Sequence, residues 1–174
     1  MIHKFQVAGA VDLCFTDKKL EGEWKMDLIE VFWRTYLKET SQTESVAYAE
    51  VFSFGHGEQM ADCLLQLVLQ GKKTATCWRH KIGEEITQAG AKSIVLDGQG
   101  NPVCIIETVE TIILPYKEVD WTLAKLEGED EDLESWKWNH KTFFEEEGKR
   151  KGFSFDENML LCFEKFKVVY EKNS

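Results

Sequence analysis

Between Lys25 and Lys38 the apolar residues Leu28, Ile29, Phe32, Trp33, Tyr36 and Leu37 recur at spacings of three and four, with Glu30 and Arg34 on the other side. That period winds one buried stripe and predicts a helix. A polar break over Ser41–Ser45 follows. Tyr48–Phe54 then mixes aromatic and β-branched residues in strand-like alternation, ended by Gly55 and Gly57. Glu58–Gln70 returns to helical spacing through Met60, Cys63, Leu64, Leu67 and Val68, and Gly71 stands where a left-handed C-terminal cap is expected.

Thr74–Trp78 is β-branched and aromatic, so a strand leaves that turn directly. Ser93–Leu96 and Val103–Leu114 are strong strand runs, joined by turn formers from Asp97 to Pro102 that predict a hairpin. Asp120 is placed to cap a short helix through Lys125, and Asp132 to open a longer one carrying Leu133, Trp136, His140, Phe143 and Phe144. Its end holds the i,i+4 pairs Glu145–Lys149, Glu146–Arg150 and Glu147–Lys151, each worth about 0.3 kcal/mol on an exposed helix. Met159–Tyr170 reads as a closing strand. The strands lack a steady βαβ alternation, so the expected class is α+β with a small, curled, mainly antiparallel sheet.

Residues 1–22 show no steady period and are expected to be an extension or a short outer strand, followed by one domain over residues 23–174. A chain of 174 residues needs no second domain to bury a core. Five cysteines without a CxxC pair suggest reduced thiols instead of a disulfide framework or a zinc ribbon. With no signal-like start and no long apolar run, the cytoplasm is the expected compartment and no membrane contact is expected. A formal charge of −10 argues against a long grip on phosphate backbone and favours a small or locally bound substrate.

The sharpest local feature is Gly71-Lys72-Lys73-Thr74-Ala75-Thr76. It is not a phosphate-binding Walker loop, because the upstream glycine position holds Gln66 and a strand follows where a helix is required. On spacing alone it is a capped helix end, two solvated lysines and two strand threonines. Several segments taken together change that weighting: Val31-Phe32-Trp33-Arg34-Thr35-Tyr36-Leu37, the GKKTAT stretch, Val95-Leu96-Asp97-Gly98, Pro102-Val103-Cys104, Glu127-Gly128-Glu129-Asp130, and Trp136 with His140 and Phe143-Phe144. In their order and wording the chain resembles the longer bacterial branch of the ASCH family over roughly residues 29–170, the extent of one domain.

That resemblance implies a PUA-like β-barrel with flanking helices, a cleft between barrel and helices, and a role in RNA binding or RNA-linked metabolism. One small relative type is an amidohydrolase acting on acetylated cytidine through a lysine, a threonine and a glutamate. Carried over by motif, these fall on Lys73, Thr76 and Glu127. The implied partner is a nucleoside or a short single-stranded RNA, with no cofactor and no resident metal. A non-catalytic RNA-binding module and a metal-dependent ribonuclease are the alternatives.

The chemistry of the trio is coherent. A threonine hydroxyl needs a base, a lysine serves as one only if its pKa is lowered, and Lys72 beside Lys73 would lower it. A glutamate that donates a proton near neutrality needs a raised pKa, which the acidic run from Glu127 to Glu134 would supply. Alternation along a strand puts Thr74 and Thr76 on one face and Lys73 on the other unless the turn re-aims it. Where the smaller hydrolases continue into Ile-Arg-Asp, this chain has Cys77-Trp78-Arg79-His80. Substrate contacts are therefore sought at Lys72, Thr74, Trp78, Arg79 and His140. Trp78 is either a stacking platform for a base or half-buried core. His140 is either hydrogen-bonded core or a proton shuttle. The acidic run is either a solvated helix N-terminus or a set of oxygen ligands for a divalent cation. Nothing in the sequence fixes the oligomeric state.

Overall fold

The computed structural model describes the backbone of residues 2–5 and 18–172, and side chains from residue 28 to residue 172. Chain order is β1 (Ile2–Phe5), α1 (Lys18–Glu39), β2 (Glu50–Phe54), α2 (Glu58–Leu69), β3 (Ala75–Arg79), β4 (Lys92–Leu96), β5 (Pro102–Pro115), α3 (Trp121–Ala124), α4 (Leu133–Lys151) and β6 (Leu160–Glu171). Single 3-10 turns cover Tyr116–Glu118 and Lys125–Glu127. The strands form one sheet in the order β1-β2-β4-β5-β6-β3, curled into a half-barrel. Every pairing is antiparallel except β2 with β4, so the α+β, mainly antiparallel expectation holds.

Alternation sorts each strand between two interiors. Phe52, Phe54, Val95, Cys104, Ile106 and Phe166 point to one face, where Leu64, Leu65 and Val68 of α2 close over them. The opposite face carries two clusters. Val51, Ile94 and Ile105 meet Ile29, Phe32, Trp33, Tyr36 and Leu37 of α1. Cys77, Leu161 and Phe163 meet Trp136 and Phe144 of α4. The half-barrel is thus lined by α2 within and covered by α1 and α4 without. Among the described residues no helix is long and apolar enough to cross a membrane.

Local signals placed most elements. Gly71 is left-handed at φ 69°, and Lys72 and Lys73 both donate backbone N–H to Leu67 O, which ends α2. The Asp97 carboxylate accepts from Gln99 N and Asn101 N in the β4–β5 hairpin. Asp120 accepts from Leu123 N at 3.0 Å, and Asp132 forms a reciprocal capping box with Ser135.

Two expectations are corrected. First, α1 opens at Lys18, seven residues before Lys25, where the sequence predicts it; Ile2–Phe5 pairs with β2 at the edge of the sheet, the short outer strand that is one of the two expectations for this segment, and residues 6–17 lie outside the described residues. Second, the charge ladder at the end of α4 is mostly not formed. Among the described residues only Glu147–Lys151 pairs, at 2.7 Å, and Glu147 is buried. Arg150 turns instead to His56 Nε2 at 2.8 Å, because α4 packs beside the β2–α2 turn and a tertiary partner outbids a solvated neighbour.

Candidate active site

The GKKTAT stretch and the Glu127 turn are locked edge to edge. Gly128 has φ 70°, and a Cβ there would lie 2.5 Å from Lys72 O, so only glycine lets the turn press on the Lys72–Lys73 peptide. Thr74 N–H donates to Leu126 O at 2.7 Å. β3 is the outer strand of the sheet and would leave unpaired amides on its free side. The Glu127 carboxylate supplies one missing acceptor, taking Cys77 N–H at 3.1 Å on Oε1.

That carboxylate is the hub of the site. Its Oε2 receives Trp136 Nε1–H at 2.8 Å, His140 Nε2 at 2.9 Å and the Cys77 thiol at 3.5 Å. Lys73 Nζ lies 3.4 Å from Oε1 and 2.5 Å from Glu129 Oε1. Glu127 is fully buried and Lys73 is 1% exposed. The His140 ring stacks on Trp136 with centroids 3.9 Å apart, and its Nδ1 faces Trp136 O at 2.9 Å. Helix α4 presents both residues because they are four positions apart on one face.

Burial alone would push the Glu127 carboxyl up, but the charges of Lys73 and His140 outweigh it and hold its pKa well below the usual 4.5. Burial alone would push Lys73 down, but the carboxylates of Glu129 and Glu127 outweigh it and hold the ammonium above its ordinary 10.5. Both directions reverse those expected from the sequence. Lys72 is exposed and brings no cation to bear on the buried group, while the acidic run scatters: Asp130 accepts from Asn139 and Asp132 caps α4. Cys77 stays a thiol, pushed well above its ordinary value by burial and by Glu127.

Lys73, Glu127 and His140 are therefore brought together. Thr76 lies next to Cys77 in β3, so alternation turns its side chain to the α2-lined face. It is fully buried, and its Oγ1 hydrogen-bonds no described atom. Thr74 is half-buried with its hydroxyl 3.4 Å from Leu126 O. Arg79 stacks over the Phe153 ring at 3.9 Å, and Trp78 beside it is half-buried. Sequence reasoning missed Trp136 as a carboxylate donor, Cys77 as both thiol and amide donor, and Glu129 as the second partner of Lys73. The spacing of Trp136 and His140 was the available signal.

The ligand atoms of Cys77, Glu127 and His140 lie within 4.8 Å of one another. The set does not suit a cation. A lysine ammonium and an indole N–H occupy the same carboxylate, and the thiol keeps its proton. Elsewhere, one depression on the described surface is lined by Tyr116, Lys117, Lys137, Trp138, Lys141 and Glu157, with Trp138 70% exposed.

A curled, mainly antiparallel half-barrel with flanking helices is the architecture of a PUA-like barrel protein. The chain belongs to the ASCH domain family, whose model matches residues 50–170. Protein EF3133 from Enterococcus faecalis V583, a DUF984 protein, is 34% identical, with 84% of this chain and 90% of that one covered and a TM-score of 0.76. An ASCH domain from Lactobacillus crispatus JV V101 is 32% identical, covering 83% of this chain and 96% of its own, with a TM-score of 0.74. No curated protein matches the chain.

Proposed function

We propose that this ASCH protein hydrolyses an amide bond on a nucleoside-sized substrate, with acetylated cytidine as the first compound to test. The observation that carries the reading is the Thr76 hydroxyl, fully buried and without a described partner, one residue from Cys77, whose amide and thiol bond the Lys73-paired carboxylate of Glu127. An unsatisfied buried hydroxyl costs about 1–3 kcal/mol, and a site that binds polar substrate gives that cost a use. Thr76 is the nucleophile. The Lys73 ammonium, kept charged by Glu127 and Glu129, stabilises negative charge developing on the carbonyl oxygen and is not the proton acceptor. Glu127 fixes Lys73 and His140 in place. The negative net charge supports a substrate of nucleoside size over a long polyanion.

The test is incubation of purified protein with acetylated cytidine nucleosides and with a short single-stranded RNA, with and without magnesium. Acetate release is expected from wild type, with a loss of at least about 100-fold in Lys73→Ala and Thr76→Ala. Acetate release that persists in both variants sinks the mechanism. One observation favours a second reading. Trp138 stands exposed between Lys137 and Lys141 with Lys117 close by, and bases stack on such a ring while lysines meet phosphate. RNA binding without turnover, lost in Trp138→Ala, would select that module. The ribonuclease alternative has less support, because the acidic run is spent on an ion pair, a hydrogen bond and a helix cap.

A further inference from the structure

Among the described residues the Lys73 ammonium meets two carboxylates, and the two are held in different ways. Glu127 also receives Cys77 N–H, Trp136 Nε1–H and His140 Nε2, so it cannot turn without stranding three other groups. Among the described atoms Glu129 bonds Lys73 alone, through Oε1 at 2.5 Å. The Glu129 side chain is 28% exposed, whereas those of Lys73 and Glu127 have no exposure. Under the ammonium lies the Phe54 ring, 5.5 Å to its centre and fully buried. Of these groups around Lys73, only Glu129 therefore reaches the surface. A carboxylate elsewhere in the interior has no such exit: Glu164, across from Thr76 on the inner face, accepts the Thr108 hydroxyl at 2.7 Å and is 2% exposed.

We infer that this outer position on Lys73 is a carboxylate site, filled by Glu129 in the free protein and taken over by the acyl group of a bound ligand once Glu129 turns out; the identity of that ligand rests on the amide-hydrolase reading. A carboxylate already sits there, so the position accepts a planar group with two oxygens and one negative charge. The acid released from an amide has that shape and charge, and the carbonyl oxygen gains the same charge on the way to it. Exchange of one carboxylate for another keeps the buried ammonium paired, which matters because an unpaired charge in the interior is costly. No proton moves and no loop has to open. Gly128 is pressed on Lys72 O, and Asp130 accepts from Asn139 at 2.7 Å, so both neighbours of Glu129 are fixed and the exchange is a rotation of its side chain. Glu129 occludes the site and is not a catalytic residue. Because a tethered carboxylate competes for the position, the free protein binds the ligand with an affinity reduced to the fraction of molecules in which Glu129 is turned out.

The test uses acetate as the probe, with chloride at equal ionic strength as the control. Binding is followed by saturation-transfer NMR of the acetate methyl signal and by the thermal unfolding midpoint. Glu129→Ala empties the position, and its affinity for acetate should exceed that of the wild type by about 10-fold or more. The midpoint of this variant should fall in chloride and recover in acetate, and adding Lys73→Met to it should abolish both the binding and the recovery. If Glu129→Ala does not fold in chloride, Glu129→Asp, whose carboxylate is one methylene short of Lys73, carries the same comparison with a smaller gain. Equal acetate affinity in wild type and Glu129→Ala, or acetate recovery that survives Lys73→Met, overturns the carboxylate site. Neither measurement needs turnover, so the site and the hydrolase reading fail separately. Lys73-dependent acetate binding in Glu129→Ala, with no acetate released from acetylated cytidine by the wild type, keeps the site and removes the hydrolase. Acetate release by the wild type, with no acetate bound by Glu129→Ala, overturns the site and keeps the hydrolase.

Discussion

A single carboxylate decides the state of the buried network. Glu127 receives a backbone amide, an indole, an imidazole, a thiol and an ammonium, and removing its charge takes from the buried Lys73 one of its two carboxylate partners, leaving Glu129. Breaking one side of a buried ion pair costs about 3–5 kcal/mol. Glu127→Gln should therefore lose stability up to that order in urea unfolding, although the side chain keeps its shape and Glu129 stays beside Lys73. The pH dependence has a definite sign. The folded pKa of Glu127 is depressed, so its contribution is complete above the ordinary 4.5 and is lost as pH falls below it. The folded pKa of Lys73 is raised, so its contribution is complete below 10.5 and is lost as pH rises through the elevated value. The pair thus contributes a plateau between about pH 5 and 10, and the acid limb of the stability curve should be shallower in Glu127→Gln. An unchanged limb would assign acid sensitivity to other carboxylates, such as Asp97, whose pKa is also lowered.

At the scale of elements, two turns hold the site together. Gly128 combines a left-handed backbone with an approach to Lys72 O that leaves no room for a methyl group. Gly128→Ala should cost about 1–3 kcal/mol and, by shifting the Lys72–Lys73 peptide, should reduce turnover more than a change of equal thermodynamic cost elsewhere. Asp132→Ala is that comparison. It removes the capping box of α4 at a cost of about 0.5–2 kcal/mol without touching the Lys73 loop. Equal loss of turnover in the two variants at matched stability would deny Gly128 a positioning role. Of these features the Asp132 cap was legible and the Gly128 turn was not. The Asp132 cap and the αL glycine after α2 are signals within four residues of sequence, and the structure keeps them. The expected pKa of Lys73 was read from its sequence neighbour Lys72, whereas the turn sends Lys72 to solvent and brings in carboxylates 54 and 56 residues away. Local pattern sees caps, stripes and alternation; it does not see which edge strand a distant turn will pair.

Over the whole molecule, fold class was readable because each strand carries alternation that two interiors then sort, and each long helix carries one stripe. The inner polar face was not readable. Thr76, Thr108 and Glu164 are ordinary strand residues in sequence, and only the register of β3, β5 and β6 lines them up. The same separation of interior and exterior lets the two functional readings be told apart without mutation. A nucleoside bound against the buried face displaces no condensed counterions, so its Michaelis constant should change less than about 2-fold between 50 and 200 mM salt. RNA held on the outside by Lys117, Lys137 and Lys141 beside Trp138 would neutralise up to three phosphates. With a slope of about −0.7 per contact on a single strand, its affinity should fall about 20-fold over the same range. Measuring both dependences on one preparation assigns each ligand to its surface. A salt-insensitive RNA complex would remove the lysine patch from consideration, and a steeply salt-dependent nucleoside would move the substrate out of the barrel and onto that patch.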